Sequence, residues 1–123
     1  MTPAILLAAA ALAAMLAAPA ESAPDANAQR EIDHLLAFVA ASECRFVRGG
    51  VEHDAREARD HLALKLDVAR PLIGSADAFV DRVAGASSLT GEPYRVRCGG
   101  RDAAAKAWLA DELARYRRER RLQ

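Results

Sequence analysis

The sequence predicts an α+β fold, with about four helices packed on one face of a small antiparallel sheet of two to three short strands, after an N-terminal signal peptide. Three observations carry that expectation. Apolar residues recur at helical spacing in four separate segments. Two other segments, Cys44-Arg45-Phe46-Val47-Arg48 and Tyr94-Arg95-Val96-Arg97-Cys98, alternate in the manner of half-buried strands. All 17 basic and 17 acidic residues lie beyond the uncharged first 20 of 123, so about 103 residues remain, enough for one modest core and not two.

The first 20 residues are half alanine, and residues 4–18 form an unbroken apolar run of about fifteen residues. That run is short for a membrane anchor and reads as the apolar centre of a signal peptide. Ala18-Pro19-Ala20 fits a cleavage site before Glu21, and Ala26-Asn27-Ala28 offers a second that would start the chain at Gln29. The Met1-Thr2 end carries no Lys or Arg, which leaves an uncleaved anchor as the alternative. The expected organisation is a leader over 1–20, or to residue 28 if the second site is used. A flexible segment over 21–28 and a single α+β domain over 29–123 follow.

A first helix is expected from Gln29 to about Ser42, on the spacing of Ile32, Leu35, Leu36 and Val39, with His34 opposite that stripe. Gly49-Gly50 supplies a tight reversal needing positive φ, between the strand at residues 44–48 and a short partner, Val51-Glu52-His53. Asp54 followed by Glu57 signals a helix from Ala55 to about Ala69 that Pro71 stops, with Ala55, Ala58, Leu62, Leu66 and Ala69 facing the core. Ser75 caps a third helix carrying Phe79, Val80, Val83 and Ala84. After the strand at 94–98, Gly99-Gly100 breaks the chain. Asp102 is then expected to cap a last helix with Ala105, Trp108, Leu109, Leu113 and Tyr116 on one face.

Two cysteines in an exported chain allow one intramolecular disulfide, Cys44–Cys98, with two buried free thiols as the alternative. An antiparallel pairing of 44–48 with 94–98 places Cys44 opposite Cys98, Phe46 opposite Val96 and Arg48 opposite Tyr94. Opposed residues lie about 4.5–5.5 Å apart, within disulfide reach. Arg45, Arg95 and Arg97 then share the outer face with Val47.

Motif-borne chemistry is absent from the sequence. It has no nucleophile elbow, Cys-x-x-Cys pair, His-Glu-x-x-His, phosphate loop or dinucleotide fingerprint, and no cofactor is expected. His53 and His61 straddle a helix start, about 12 Å apart along its axis, too far for one zinc ion. Glu57 and His61, at i and i+4, are two ligands without a third, so no metal site is expected. His61 lies at the boundary of its helix's apolar face, and Lys65, one turn on, is expected to snorkel. Ser87, Ser88 and Thr90 either hold a nucleophile or bond their own backbone, and the lack of an adjacent acid or histidine favours the second.

The neutral total hides an asymmetry. Residues 21–92 hold 13 acids and 8 bases, whereas 93–123 hold 4 acids and 9 bases. Arg115, Arg117, Arg118, Arg120 and Arg121 read as a solvated helix end complementing the dipole, or as an anion-attracting surface. With three Phe, two Tyr and one Trp, an aromatic nucleic-acid platform is excluded and no nucleic-acid partner is expected.

The run Phe46-Val47-Arg48, Gly50, Glu52-His53, Glu57-Ala58, His61-Leu62 and Leu64-Lys65-Leu66 resembles the YfeK-like family of small exported bacterial proteins of unknown function. The likeness continues through Ala76, Phe79, Asp81, Val83-Ala84, Ser87-Ser88, Thr90-Gly91 and Pro93-Tyr94, about half of the chain beyond the leader. Where the family turn usually reads Asn-Gly, this chain has Gly49-Gly50. The cysteines are not a fixed family feature, which makes the disulfide a local stabiliser. The resemblance implies a periplasmic setting and a shared fold, without an activity. It also singles out Arg48, Glu52, His53, His61, Lys65, Ser87, Ser88, Thr90 and Tyr94, either as one polar cleft for a small or polymeric anionic ligand or as caps and loop fasteners.

The function expected on these grounds is a non-catalytic periplasmic binding module. Its partner would be an unknown envelope protein or an anionic envelope component, and no stable membrane span is expected after the leader. The alternative is a small envelope hydrolase or transferase using His61 or His53 as general base, which requires a histidine within about 3 Å of an acid or hydroxyl.

Overall fold

The computed structural model describes residues 3–4 and 22–123, so the leader predicted over residues 1–20 lies, apart from residues 3 and 4, outside the described residues. Helix α1 spans Ala26–Ala41 and starts three residues before the expected Gln29. The Asp25 side chain accepts from the Ala28 N–H at 2.8 Å, which satisfies one of the unpaired donors of the first turn. Residues 26–28, placed in a flexible segment from sequence, are therefore helical, and Ala28 is buried.

Strand β1 is Arg45–Arg48 and β2 is Val51–His53. Gly49 and Gly50 join them at φ +56° and +77°, left-handed values that glycine adopts without steric cost. Helix α2 runs Ala55–Ala69, as expected. Asp54 caps it by accepting from the Glu57 N–H at 2.8 Å, and the 3-10 turn Arg70–Leu72 follows, with Pro71 in it. Ser75 caps α3, Ala76–Phe79, which widens into a π turn over Val80–Ala84. Strands β3, Arg95–Cys98, and β4, Arg101–Ala104, precede α4, Ala105–Arg121.

The sheet is antiparallel with order β2-β1-β3-β4, one strand more than the two or three expected. Asp102 does not cap α4. It sits in β4 opposite Arg97, and Ala104 occupies the cap position with no side-chain bond. Gly99-Gly100, at φ +55° and +80°, makes a second hairpin of the same kind as Gly49-Gly50, so the chain continues as a strand.

The central register is the expected one. Phe46 pairs with Val96, Arg45 with Arg97, and Cys44 and Cys98 form a disulfide with their Cα atoms 4.7 Å apart. Successive side chains on a strand point to opposite faces. Arg45, Arg95 and Arg97 therefore stand on the outer face, exposed and bridged by Glu52 and Asp102. Phe46, Tyr94 and Val96 are buried on the inner face, where the core adds Ile32, Leu35, Leu66, Phe79 and Leu109 from the helices. Trp108 fastens α4 to α1 and β1 through Phe38 at 4.6 Å and Phe46 at 5.6 Å between ring centroids.

Among the described residues two carboxylates are buried with this core, each paired. Glu31 receives both Nε and Nη2 of Arg117, at 2.6 and 2.9 Å, and Arg117 also reaches Asp77. Glu112 is held by Arg115 and by His34 at 2.8 Å, and the His34 ring stacks on Tyr116 at 4.0 Å. His34, expected to face away from the apolar stripe, is thus half-buried between two helices. No helix among the described residues is long and apolar enough to cross a membrane.

Candidate functional site

At the open ends of β1 and β2, between α2 and the loop of residues 86–93, lies a cleft of about 590 Å³. Eight of the nine polar residues singled out from sequence line it: Arg48, His53, His61, Lys65, Ser87, Ser88, Thr90 and Tyr94. Strand parity decides the membership. Val51 and His53 pair with Arg48 and Phe46 and share their face, whereas Glu52, between them, pairs with Val47. Glu52 therefore leaves the cleft and serves the outer face, 2.6 Å from Arg97. The alternation that excludes it was present in the sequence.

Lys65 is the structural centre of the cleft. A π turn closes wider than an α-helix, and here it ends at Gly85, where a Cβ would stand 2.7 Å from the Val80 carbonyl. The end of this segment offers the Val83 and Ala86 carbonyls to α2, and Lys65 Nζ donates to them at 2.7 and 2.9 Å. Its third proton goes to the Tyr94 hydroxyl at 3.0 Å, with the ammonium 4.8 Å from the Tyr94 ring centroid. Lys65 thus does not snorkel. The ammonium turns inward because three acceptors converge on it, and it spends its donors on scaffold. Tyr94 accepts from Lys65, and its own O–H has no acceptor among the described residues.

Arg48 presents the opposite case. Its side chain is exposed, and Nη1 lies 2.6 Å from His61 Nε2 and 3.1 Å from Nδ1. A guanidinium only donates, so the imidazole must offer it a lone pair and be neutral. Burial, then the charges of Arg48, Lys65 and His53, push the His61 pKa below the ordinary 6.5, in agreement with that assignment. Among the described residues no carboxylate pairs with Arg48. His61 also meets the Tyr94 ring edge-on, at 6.4 Å between centroids.

The remaining walls follow from local bonding. Ser87 Oγ accepts from the Leu89 and Thr90 N–H groups, and Thr90 Oγ1 accepts from the Glu92 N–H, so the hydroxyl loop folds on its own backbone. His53 Nδ1 lies 3.2 Å from Glu57 Oε2. Glu57 is therefore the partner of His53 and not of His61, and among the described residues no group of three His, Cys, Asp or Glu is placed to hold a metal ion. Sequence reasoning missed Val51, Leu89 and Glu92 on the cleft wall. Val51 was recoverable from its parity with His53. Leu89, 98% exposed at the loop tip, and Glu92 gave no signal of their own.

Beneath the cleft lies a second pocket of about 50 Å³, which shares Arg48, His53, His61 and Tyr94 with it. Phe46, Ala58, Leu62, Ala84 and Leu109 form its inner walls.

Comparison with known proteins matches residues 26–117 to a family of unknown function, DUF5329. The chain is also similar to the uncharacterized protein YfeK of Salmonella typhimurium, 39% identical over 84 residues that cover 68% of this chain and 70% of that one. No solved structure matches it.

Proposed function

The chain belongs to the DUF5329 family, a family of unknown function, and for it we propose a non-catalytic binding module of the bacterial envelope that takes an anionic ligand in the polar cleft. One observation carries the reading: Arg48 is a cleft guanidinium whose partner is a neutral imidazole and not a carboxylate. An anionic group replaces that lone pair with a charge-assisted, bidentate acceptor, a stronger partner for arginine. The Tyr94 O–H and the Ser88 hydroxyl flank the position as further donors. The disulfide and the apolar leader support a periplasmic location, where the ligand would be an acidic envelope component or an acidic segment of an envelope protein.

Titration of the ¹⁵N-labelled chain with phosphate and with a soluble polyuronate tests this reading. The expected result is saturable shifts at Arg48, His61 and Tyr94, reduced about tenfold in affinity by Arg48→Gln. Shifts confined to Arg118 and Arg121 at the end of α4 would overturn it.

A second reading has its own observation. His53 in the cleft has an acid at 3.2 Å, the arrangement that orients a general base, whereas His61 has its lone pair engaged by Arg48. Against it, no hydroxyl among the described residues bonds either histidine, and Ser87 is occupied as a backbone acceptor. Turnover of ester or glycoside probes that is lost in His53→Gln would favour this second reading over the first.

A further inference from the structure

We propose that the ligand is a carboxylate carrying a short apolar chain of about three to four carbon atoms, the carboxylate on Arg48 and the chain in the pocket below. The inference rests on the anion-binding reading and adds to it the chemistry of the second half of the ligand. Arg48 and His61 border both cavities, so a group bound at the guanidinium stands at the mouth of the lower one. That lower pocket is walled mainly by Phe46, Ala58, Leu62, Ala84 and Leu109, which offer no hydrogen bond from their side chains, with His53, Glu57 and Tyr94 as polar members of its lining. A water against those apolar walls finds few partners, whereas an alkyl or acyl group needs none. Its volume of about 50 Å³ is roughly three to five times that required by one water-sized group, which sets the chain length. The exposed Val51 and Leu89 on the cleft wall continue the apolar surface outward, so the site pairs a charged contact with a graded apolar one.

The full chain, disulfide intact, is titrated with the straight-chain carboxylates from acetate to octanoate and with the matching alcohols, followed by amide shifts. Affinity is expected to rise about fourfold for each added methylene, the transfer free energy of one buried CH₂. It should stop rising beyond a chain of about four carbons, with shifts spreading to Ala58 and Ala84. Ala58→Leu, which fills the pocket from the half-buried face of α2, should abolish the length dependence and leave acetate binding intact. The wild-type series reads the same property without a variant, should Ala58→Leu misfold.

Length-independent binding, with shifts confined to Arg48, His61 and Tyr94, would overturn the apolar subsite and leave the anion site standing. Alcohols binding as tightly as carboxylates of equal length would remove the role of Arg48. Absence of binding by every carboxylate and by phosphate would remove the anion site itself.

Discussion

Cations at the two ends of this molecule are treated in opposite ways. Where α1, α3 and α4 meet, Arg117 and Arg115 are closed onto the carboxylates of Glu31, Asp77 and Glu112, and the two buried glutamates are fully paired. In the cleft, Lys65 is held by two carbonyls and a phenol, and Arg48 by an imidazole. The first arrangement cancels charge and the second keeps it. A buried carboxylate left alone is costly, so Arg115 and Arg117 have no spare capacity for a ligand. The cleft has positive charge satisfied in hydrogen bonds but not in charge, which is the condition for binding an anion.

Removal of the restraint that lies outside both regions has the largest expected effect. Replacing Cys44 and Cys98 by serine opens a loop with a sequence separation of 54 and should cost about 4 kcal/mol by denaturant unfolding. Next comes Arg117→Ala, which strands buried Glu31 and should cost about 2–3 kcal/mol, less than a fully enclosed pair because Arg117 is partly exposed. Lys65→Met follows at about 2 kcal/mol, since it orphans two carbonyls and the Tyr94 hydroxyl together.

Acid separates the two regions by pH. Arg115 foremost, then His34, hold the Glu112 carboxyl below its ordinary 4.5 against the opposing effect of burial. A depressed carboxyl contributes stability above its unfolded value and loses it as pH falls through the folded one, so the helical end should loosen only below about pH 4.5. His61 is also depressed, so its contribution is complete above 6.5 and is lost as pH falls below that. Protonation removes the lone pair that holds Arg48. Anion affinity in the cleft should therefore increase on acidification below 6.5 while unfolding stability declines slightly, both followed by the His61 ring resonances. A His61 titration at or above 6.5 would contradict the neutral, lone-pair-donating ring.

The smallest effect is the sharpest test of the comparison. Arg48→Gln should alter stability by no more than about 0.5 kcal/mol while reducing anion affinity about tenfold. If it destabilised the chain as much as Arg117→Ala, the two ends would not differ in kind.

Much of this was legible in the sequence, and the gaps have physical causes. Helix α2 was bounded correctly because Asp54 and Pro71 act within one turn of it, and the central register followed from two cysteines on alternating segments. Strand β4 was hidden because Arg101-Asp102-Ala103-Ala104 contains no β-branched or aromatic residue. Only the repeated Gly-Gly turn hinted at it. The cleft residues were recognised by resemblance, and strand parity would have refined them by removing Glu52. The inward turn of Lys65 depends on carbonyls freed at a π turn, and the burial of Glu31 on an arginine 86 positions away. Neither leaves a local trace.

The cap on α1 bears on where the folded unit can be shortened. Ser22 lies with its carbonyl 3.1 Å from where a Cβ on Gly74 would stand, and Asp25 closes the first turn. A truncated chain starting at Glu21 would keep both anchors, whereas one starting at Gln29 would lose them and the first turn of α1, and should be about 1 kcal/mol less stable. Asp25 thereby ties the start of the folded unit to its core, and a chain shortened past it should show its looseness as faster proteolysis at that end.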